Sequence, residues 1–248
     1  MTIRVGIGGW TFEPWRGTFY PDGWPQKREL EYAGQHVTAI EINATYYGSQ
    51  KPESFANWAK AVPDGFKFSV KASRFATNRK VLAEGAGSVE KFLTQGLTAL
   101  GDRLGPILWQ FMATKRFERD DFARFLDLLP ATQDGLPLQH VLEVRHESFR
   151  DAAFIDLARS RNMAIAFADS DDFPCIDEVT ADFSYARLQR AAEDVATGYD
   201  DAALDGWAAR ARAWSAGGRD AYIFFIAGAK VRNPAAAMAL LERLGTNA

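Results

Sequence analysis

Three acidic residues stand at or near the ends of strand-like runs: Glu41 in Ile-Glu-Ile-Asn, Glu143 in Leu-Glu-Val-Arg and Asp169 in Phe-Ala-Asp. Side chains along a strand alternate between its two faces, so Glu41 and Glu143 face away from their apolar neighbours. A carboxylate buried without a partner is costly, which favours several such groups converging on one site. As a set, the acids are candidate general acids and bases, or carboxylate ligands for a divalent metal.

Three basic residues, Lys71, Arg145 and Arg187, occupy the same kind of position. The planar fork of Arg matches a phosphate or a carboxylate, and a Lys with a lowered pKa can form a Schiff base. Because three bases balance three acids, two interpretations stay open. Either the bases hold an anionic ligand, or acids and bases only neutralise one another in an ion-pair network.

Aromatic and amide side chains at nearby positions are suited to orient a ligand. Trp10 directly follows the first strand-like run and is expected to contact the ligand. In the same loop, we expect Phe12, Phe19 and Trp24 to pack the loop over the rest of the fold. The other candidates for ligand orientation are Asn43, Tyr46, Gln110, His146 and Gln189.

No sequence motif points to an organic cofactor, and a divalent metal is possible but not favoured. The chain contains three histidines, of which only His146 lies at the carboxyl end of a strand-like run. The single cysteine, Cys175, excludes an internal disulfide and a cysteine-based zinc cluster, and we expect an unreactive thiol. The glycines of Gly6-Ile-Gly8-Gly9 lack the spacing of a dinucleotide or P-loop fingerprint.

Eight strand-like runs alternate with helix-like stretches, which predicts a (β/α)8 TIM barrel in the α/β class. An open, doubly wound sheet is the rival architecture, because a strand count does not prove closure. Candidate helix starts are Ser88 and Asn233-Pro234. The predicted strands are 3–9, 38–45, 66–72, 106–111, 140–145, 163–169, 183–189 and 220–227, and the clearest predicted helices are 53–61, 89–103, 120–129, 152–160, 202–215 and 234–244.

A closed barrel would gather the polar strand ends at one mouth, because active sites of this fold lie at the carboxyl ends of the strands. No Pro/Ser-rich linker divides the chain, so we expect residues 1–248 to form a single barrel domain. We therefore predict one charged ring at the mouth. Its candidate catalytic residues are Glu41, Glu143, Asp169 and Lys71, with no metal ligand assigned.

The bulk composition is that of an ordinary globular protein, with 25% charged and 47% hydrophobic residues among 248. A net charge of -3 gives no global attraction to nucleic acid or anionic membranes and disfavours generic nucleic-acid binding, although a local basic patch remains compatible with it. The first residues contain no signal-peptide apolar stretch, and no later segment approaches a membrane span. These features predict a soluble, cytoplasmic protein.

Several motifs in order along the chain resemble those of the YecE-like family, domain of unknown function 72. The resemblance spans nearly the whole sequence and implies a TIM barrel, related in fold to endonuclease-IV-like and xylose-isomerase-like barrels. It implies no reaction, because the family has no settled activity. The motifs are Gly8-Gly9-Trp10, Trp15, Gly17, Phe19-Tyr20-Pro21, the run from Glu41 to Tyr47, Trp58, the runs from Phe66 to Lys71 and from Leu104 to Gln110, Glu143-Val144-Arg145-His146, and Tyr185-Ala186-Arg187-Leu188.

The chain departs from that family pattern after its seventh and eighth strands. Where relatives usually read Arg-Leu-His-Gly, this chain has Arg187-Leu188-Gln189-Arg190. The turn after strand eight, usually rich in Asn, reads Ala227-Gly228-Ala229-Lys230. The resemblance therefore implies a divergent branch whose ligand differs from that of its relatives.

Three functional hypotheses follow. The leading one is an enzyme, of hydrolase or isomerase type, that acts on a small anionic or phosphorylated ligand; it predicts that Arg145→Ala leaves folding largely intact and abolishes binding. The second is a nucleic-acid-binding or repair-associated barrel, and the third a non-catalytic ligand-binding protein. Glycosidase chemistry would need a carboxylate pair that the sequence does not identify. The second hypothesis requires a basic surface beside the mouth, drawn from Arg74, Arg79, Lys80, Lys115, Arg116 and Arg190.

Overall fold

The computed structural model describes residues 1–245. Eight parallel strands form a closed barrel in which the first strand pairs with both the second and the eighth. This closure confirms the TIM-barrel prediction and excludes the open, doubly wound sheet. The strands are β1 Ile3–Gly8, β2 Ala39–Ile42, β3 Lys67–Lys71, β4 Leu104–Gln110, β5 His140–Glu143, β6 Ala164–Asp169, β7 Phe183–Leu188 and β8 Asp220–Phe225.

Helices surround the barrel and connect its strands. The predicted helix 152–160 coincides with the observed one, whereas the predicted helix 89–103 breaks at Gly96, whose φ is 103°. Ser88 lies inside a helix that begins at Ala86, so its predicted role as a helix start is wrong. The α-helices are α1 Glu29–Gly34, α2 Ala44–Tyr47, α3 Pro52–Lys60, α4 Arg74–Thr77, α5 Ala86–Leu93, α6 Arg119–Leu126, α7 Ala152–Ser160, α8 Asp201–Trp214 and α9 Asn233–Leu244.

Side chains alternate between the lumen of the barrel and the helix layer. On β6, Ala164 and Ala166 belong to the apolar cluster inside the barrel, whereas Ile165 and Phe167 pack with the helices. On β1, a Cβ at Gly6 would stand 2.0 Å from the carbonyl oxygen of Ala39 on β2, so this position requires glycine. The remaining members of the luminal cluster are Ala39, Leu108, Val141, Phe183, Tyr185, Tyr222 and Phe224.

The long loop after β1 folds over the rim of the barrel as a small aromatic core. Trp15 and Tyr20 are almost fully buried, and the Trp15 indole Nε1 donates to the carbonyl of Lys230, 2.9 Å away. Phe19 is buried against them and Trp24 packs on Tyr32, as the sequence predicts. The loop is therefore anchored to the segment that follows β8.

None of the helices within residues 1–245 combines the length and the apolar composition needed to cross a bilayer. A short antiparallel hairpin, Thr132–Gln133 with Leu136–Pro137, lies outside the barrel sheet. It precedes β5 and has no part in the mouth.

Candidate functional site

The guanidinium of Arg187 on β7 lies at the centre of a buried charge network. Its Nε and Nη2 donate to the two carboxylate oxygens of Glu41, each over 3.0 Å, and its Nη1 donates to both oxygens of Glu143 over 2.8 and 2.7 Å. The exposed fractions of Arg187, Glu41 and Glu143 are 3%, 0% and 1%. Burial opposes the charge of Arg187, but the two carboxylates outweigh it and raise its pKa. Arg187 is therefore a fixed cation.

Each carboxylate of this network accepts at least three hydrogen bonds. Glu143 also accepts from Gln110 Nε2 over 2.7 Å and from Arg145 over 3.0 and 3.1 Å. Burial alone would raise the pKa of Glu143, but the neighbouring cations, first of all Arg187, lower it to about 2. Glu41 accepts a further bond from the Tyr185 hydroxyl over 2.8 Å. These contacts favour a structural role for the two carboxylates, which hold Arg187 in place. They disfavour a role in proton exchange with a ligand.

Asp169 does not join this network, so the prediction of a single ring of three acids is wrong. It occupies the same face of β6 as Ile165 and Phe167, which is directed toward the helices rather than the lumen. Its carboxylate pairs with Arg190, and Tyr199 Oη lies 3.5 Å from it. Asp169 opens into a separate groove of about 430 Å³ beside α8.

Without Asp169, the mouth holds two acids and three bases. The remaining base is Lys71 at the end of β3, which is 8% exposed and, within residues 1–245, has no carboxylate within 4.0 Å of its ammonium group. Its Nζ lies 4.4 Å from the centroid of the Tyr46 ring, a cation-π contact. Burial, followed by the positive charge of Arg187, lowers the pKa of Lys71 to about 8.

Lys71 and Arg187 line a cavity of about 580 Å³ at the carboxyl ends of the strands. Lys230 lines it from the segment after β8; its Nζ lies 4.3 Å from the centroid of Phe12, and burial lowers its pKa. Among the described residues, no Asp or Glu lines this cavity. The other lining residues are Gly8, Gly9, Trp10, Thr11, Ile42, Asn43, Ala44, Tyr47, Ile226, Ala227 and Asn233.

The structure brings some of the predicted ligand-orienting residues to this cavity. Trp10 and Asn43 line it, and Tyr46 lies directly beneath Lys71. Trp10 is held in place because its carbonyl accepts the hydroxyl hydrogen of Tyr20 and its ring packs edge-on against Trp58. Trp10, Asn43 and Tyr47 form the aromatic and amide part of the wall.

Other predicted residues lie behind the cavity or beside it. Gln110 and Arg145 contact Glu143 rather than the cavity, and Arg145 also covers the Phe173 ring at 4.2 Å. The Nδ1 of His146 accepts from the backbone of Ser148 and so caps a short 3-10 helix. Gln189 is partly buried, and its Nε2 has no hydrogen-bond partner among the described residues.

Sequence reasoning missed two parts of the site. Tyr185 precedes Arg187 by two residues and therefore shares its face of β7, a signal that the alternation of strand side chains contains. Lys230 and Asn233 lie where the chain passes from β8 into α9. This segment folds back over the mouth, and no pattern in the local sequence predicts that it does so.

The histidines and the cysteine take no part in the cavity. His140 is buried under the barrel wall, accepts from Trp109 Nε1 over 3.1 Å, and has its pKa lowered by burial. Burial raises the pKa of Cys175. In residues 1–245, no three or more His, Cys, Asp or Glu side chains come together in a way that could hold a metal ion.

Comparison with known proteins identifies the family. The model of the family described as "Protein of unknown function DUF72" matches residues 4–248. The chain belongs to the DUF72 family. This membership confirms the resemblance that the sequence motifs indicate.

Individual relatives are more distant. The chain is 31% identical to the UPF0759 protein YecE of Escherichia coli over 148 residues, which is 59% of this chain and 50% of YecE. It is 27% identical to the UPF0759 protein YunF of Bacillus subtilis over 78 residues, which is 32% of this chain and 27% of YunF. The matched regions thus span half or less of these relatives.

Solved structures support the fold. A DUF72 family protein from Thermotoga maritima superposes with a TM-score of 0.74 at 22% identity, covering 97% of both chains. A second DUF72 family protein, from Enterococcus faecalis, gives a TM-score of 0.73 at 18% identity and covers 98% of both chains. A fusion protein described as a xylose isomerase-like TIM barrel with 4-hydroxyphenylpyruvate dioxygenase gives 0.56 at 15% identity, covering 98% of this chain and 44% of its own.

Proposed function

We propose that this DUF72 chain is an enzyme that binds a small anionic ligand, such as a phosphate monoester, in the mouth cavity. One observation carries the proposal: Lys71, Arg187 and Lys230 line the cavity, and no carboxylate of the described residues does. Because Glu41 and Glu143 neutralise Arg187 from behind the wall, the uncompensated positive charge of the cavity belongs to Lys71 and Lys230, and these partly desolvated lysines attract an anion. Its volume of about 580 Å³ suits a metabolite-sized ligand.

The position of the cavity in the barrel supports a phosphate-bearing ligand. Ala227, Lys230 and Asn233 come from the segment that joins β8 to α9, and Asn233 begins that helix. In TIM barrels, phosphate groups frequently bind between the loops after strands seven and eight and the start of a nearby helix. The aromatic rings of Trp10 and Tyr47 then remain for the uncharged part of the ligand.

Lys71 is the lining residue best suited to the chemical step. With a pKa of about 8, its ammonium group can stabilise developing negative charge or transfer a proton near neutral pH. Glu41 and Glu143 act through Arg187, which they fix beneath the ligand. Asn43 offers its amide at the cavity wall to orient the ligand.

Calorimetric titration with inorganic phosphate and with phosphate monoesters tests this proposal. Lys71→Met is expected to weaken binding about 10- to 100-fold, the loss typical of one charge-assisted hydrogen bond. Lys67→Met is the matched control, because Lys67 lies on the same strand and face at the opposite end of the barrel, where its Nζ donates to the carbonyl of Leu104. Equal affinity of Lys71→Met and wild type, or no binding of either probe by the wild type, would overturn the proposal.

A further inference from the structure

Beside the mouth, the loops after β2, β3 and β4 expose apolar side chains to solvent. Tyr47, Phe75 and Met112 are 67%, 59% and 43% exposed. Apart from them, Met1 and Val179 are the large hydrophobic residues of the described chain that are similarly exposed. Exposed aromatic rings gathered at one end of a barrel are typical of a binding surface.

The same loops carry cations that lack acidic partners. Arg74, Arg79, Lys80 and Arg116 have no carboxylate within 4.0 Å in residues 1–245, whereas Lys115 pairs with Asp121 over 3.0 Å. Except for Arg74, these cations line a groove of about 540 Å³ in which Glu118 is the one acidic lining residue of the described chain. The other lining residues are Thr77, Asn78, Arg79, Lys80, Met112, Thr114, Lys115 and Arg116.

The groove and Arg74 are each connected to the region of the mouth cavity by one set of contacts. Asn78 at the groove donates its Nδ2 to the hydroxyl of Tyr46, 3.4 Å away, and Tyr46 lies beneath Lys71. The guanidinium of Arg74 lies 5.9 Å from the ring centroid of Tyr47, which lines the cavity, and 5.4 Å from that of Phe75. Positive charge and exposed rings therefore alternate along one path away from the mouth.

We propose that this path binds single-stranded nucleic acid. Cations without partners match a phosphate backbone, and exposed aromatic rings between them offer stacking platforms for bases. A single strand is favoured over a duplex because only unpaired bases can stack on Tyr47 and Phe75. Although the whole chain carries a net charge of -3, the local surface is positive. This inference extends beyond the phosphate site in the mouth and does not depend on it.

Fluorescence anisotropy with a labelled oligothymidine of about 12 nucleotides tests the charge of the groove. Lys80→Gln/Arg116→Gln is expected to reduce the slope of log affinity against log salt by about 1.4, at about 0.7 per lost phosphate contact. The affinity of the wild type would thus drop about sevenfold more than that of the variant between 50 and 200 mM salt. The matched control is Lys60→Gln/Arg212→Gln, which removes two exposed cations from the last turns of α3 and α8, at the opposite end of the barrel.

Phe75→Ala tests the stacking. It is expected to weaken binding of the oligothymidine about fivefold or more with the salt slope unchanged, and to leave binding of an abasic oligonucleotide unaltered. Val179→Ala removes apolar surface of similar exposure and serves as its control. Lys71→Met should retain oligonucleotide binding, which separates this inference from the phosphate site.

Four outcomes would overturn the proposal. They are no binding by the wild type at 50 mM salt, equal losses in the groove variant and its control, equal competition by duplex, and stronger competition by polyglutamate than by the oligonucleotide. The last result would instead indicate an acidic protein surface as the partner.

Discussion

Lys71 is expected to destabilise the folded protein at neutral pH. Burial, followed by the charge of Arg187, lowers its pKa from the ordinary value of 10.5 to about 8. At about 1.36 kcal/mol per pKa unit, keeping the ammonium charged in the folded state costs about 3 kcal/mol. Met has a similar shape and no charge, so Lys71→Met should increase the free energy of unfolding at pH 7 by about 3 kcal/mol.

The gain should disappear as the pH rises. Between pH 8 and 10.5 the unfolded chain still binds the proton of Lys71 while the folded chain does not, so the stability of the wild type rises relative to that of Lys71→Met. Above pH 10.5 the lysine is neutral in both states and the cost is gone. Urea denaturation of both proteins, followed by tryptophan fluorescence at pH 7, 9 and 10.5, measures this difference.

Lys60→Met is the control, because Lys60 is exposed and has no ion pair among the described residues. Its effect should stay within about 0.5 kcal/mol at every pH. The reasoning is refuted if Lys71→Met is no more stable than the wild type at pH 7, or if its advantage is the same at pH 7 and 10.5. If Lys71→Met is more stable than the wild type at pH 7, the charge of Lys71 serves ligand binding rather than folding.

Three further predictions concern the same region. Arg187→Met should lower the free energy of unfolding by about 3–5 kcal/mol in urea denaturation, because two buried carboxylates lose their partner, whereas the exposed Arg212→Met should not. Sulfate affinity, measured by calorimetry, should fall about tenfold per pH unit above pH 8 as Lys71 loses its proton; a flat profile up to pH 9.5 would contradict this. Gly6→Ala should destabilise the barrel by about 3 kcal/mol or more because its Cβ meets the Ala39 carbonyl, while Gly206→Ala, with open space around it, should not.

The order of elements was readable from the sequence because each strand forms a short apolar run between helical stretches. All eight predicted strands exist, with ends that differ by a few residues. The largest difference follows β2: the predicted strand runs to residue 45, but the backbone turns into α2 at Ala44. Tertiary contacts decide this, since the Thr45 hydroxyl donates to the carbonyl of Lys71, 2.6 Å away.

Only part of the charged mouth could be predicted from the sequence. Glu41, Glu143 and Arg187 converge as strand alternation predicts, but the same rule applied to β6 places Asp169 with Ile165 and Phe167. Barrel strands are apolar on both faces, so hydrophobicity does not distinguish the lumen from the helix side. On β6 the size of the side chains does, since this strand presents only small Ala residues to the lumen, but β7 and β8 place large aromatic residues there. The distances within the ion pairs and the position of Lys230 at the cavity depend on closure of the barrel. They cannot be predicted from the local sequence.

Arg187 joins three strands that are not neighbours in the barrel, because its partners Glu41 and Glu143 belong to β2 and β5 while it belongs to β7. Until β7 is in place, Glu41 lacks its ion-pair partner and Glu143 keeps only Arg145. A fragment that ends before β7 should therefore be unable to form this buried charge network, because it lacks Arg187. The network thus ties the first quarter of the chain to the last, because Glu41 receives its charge partner only when Arg187 is in place.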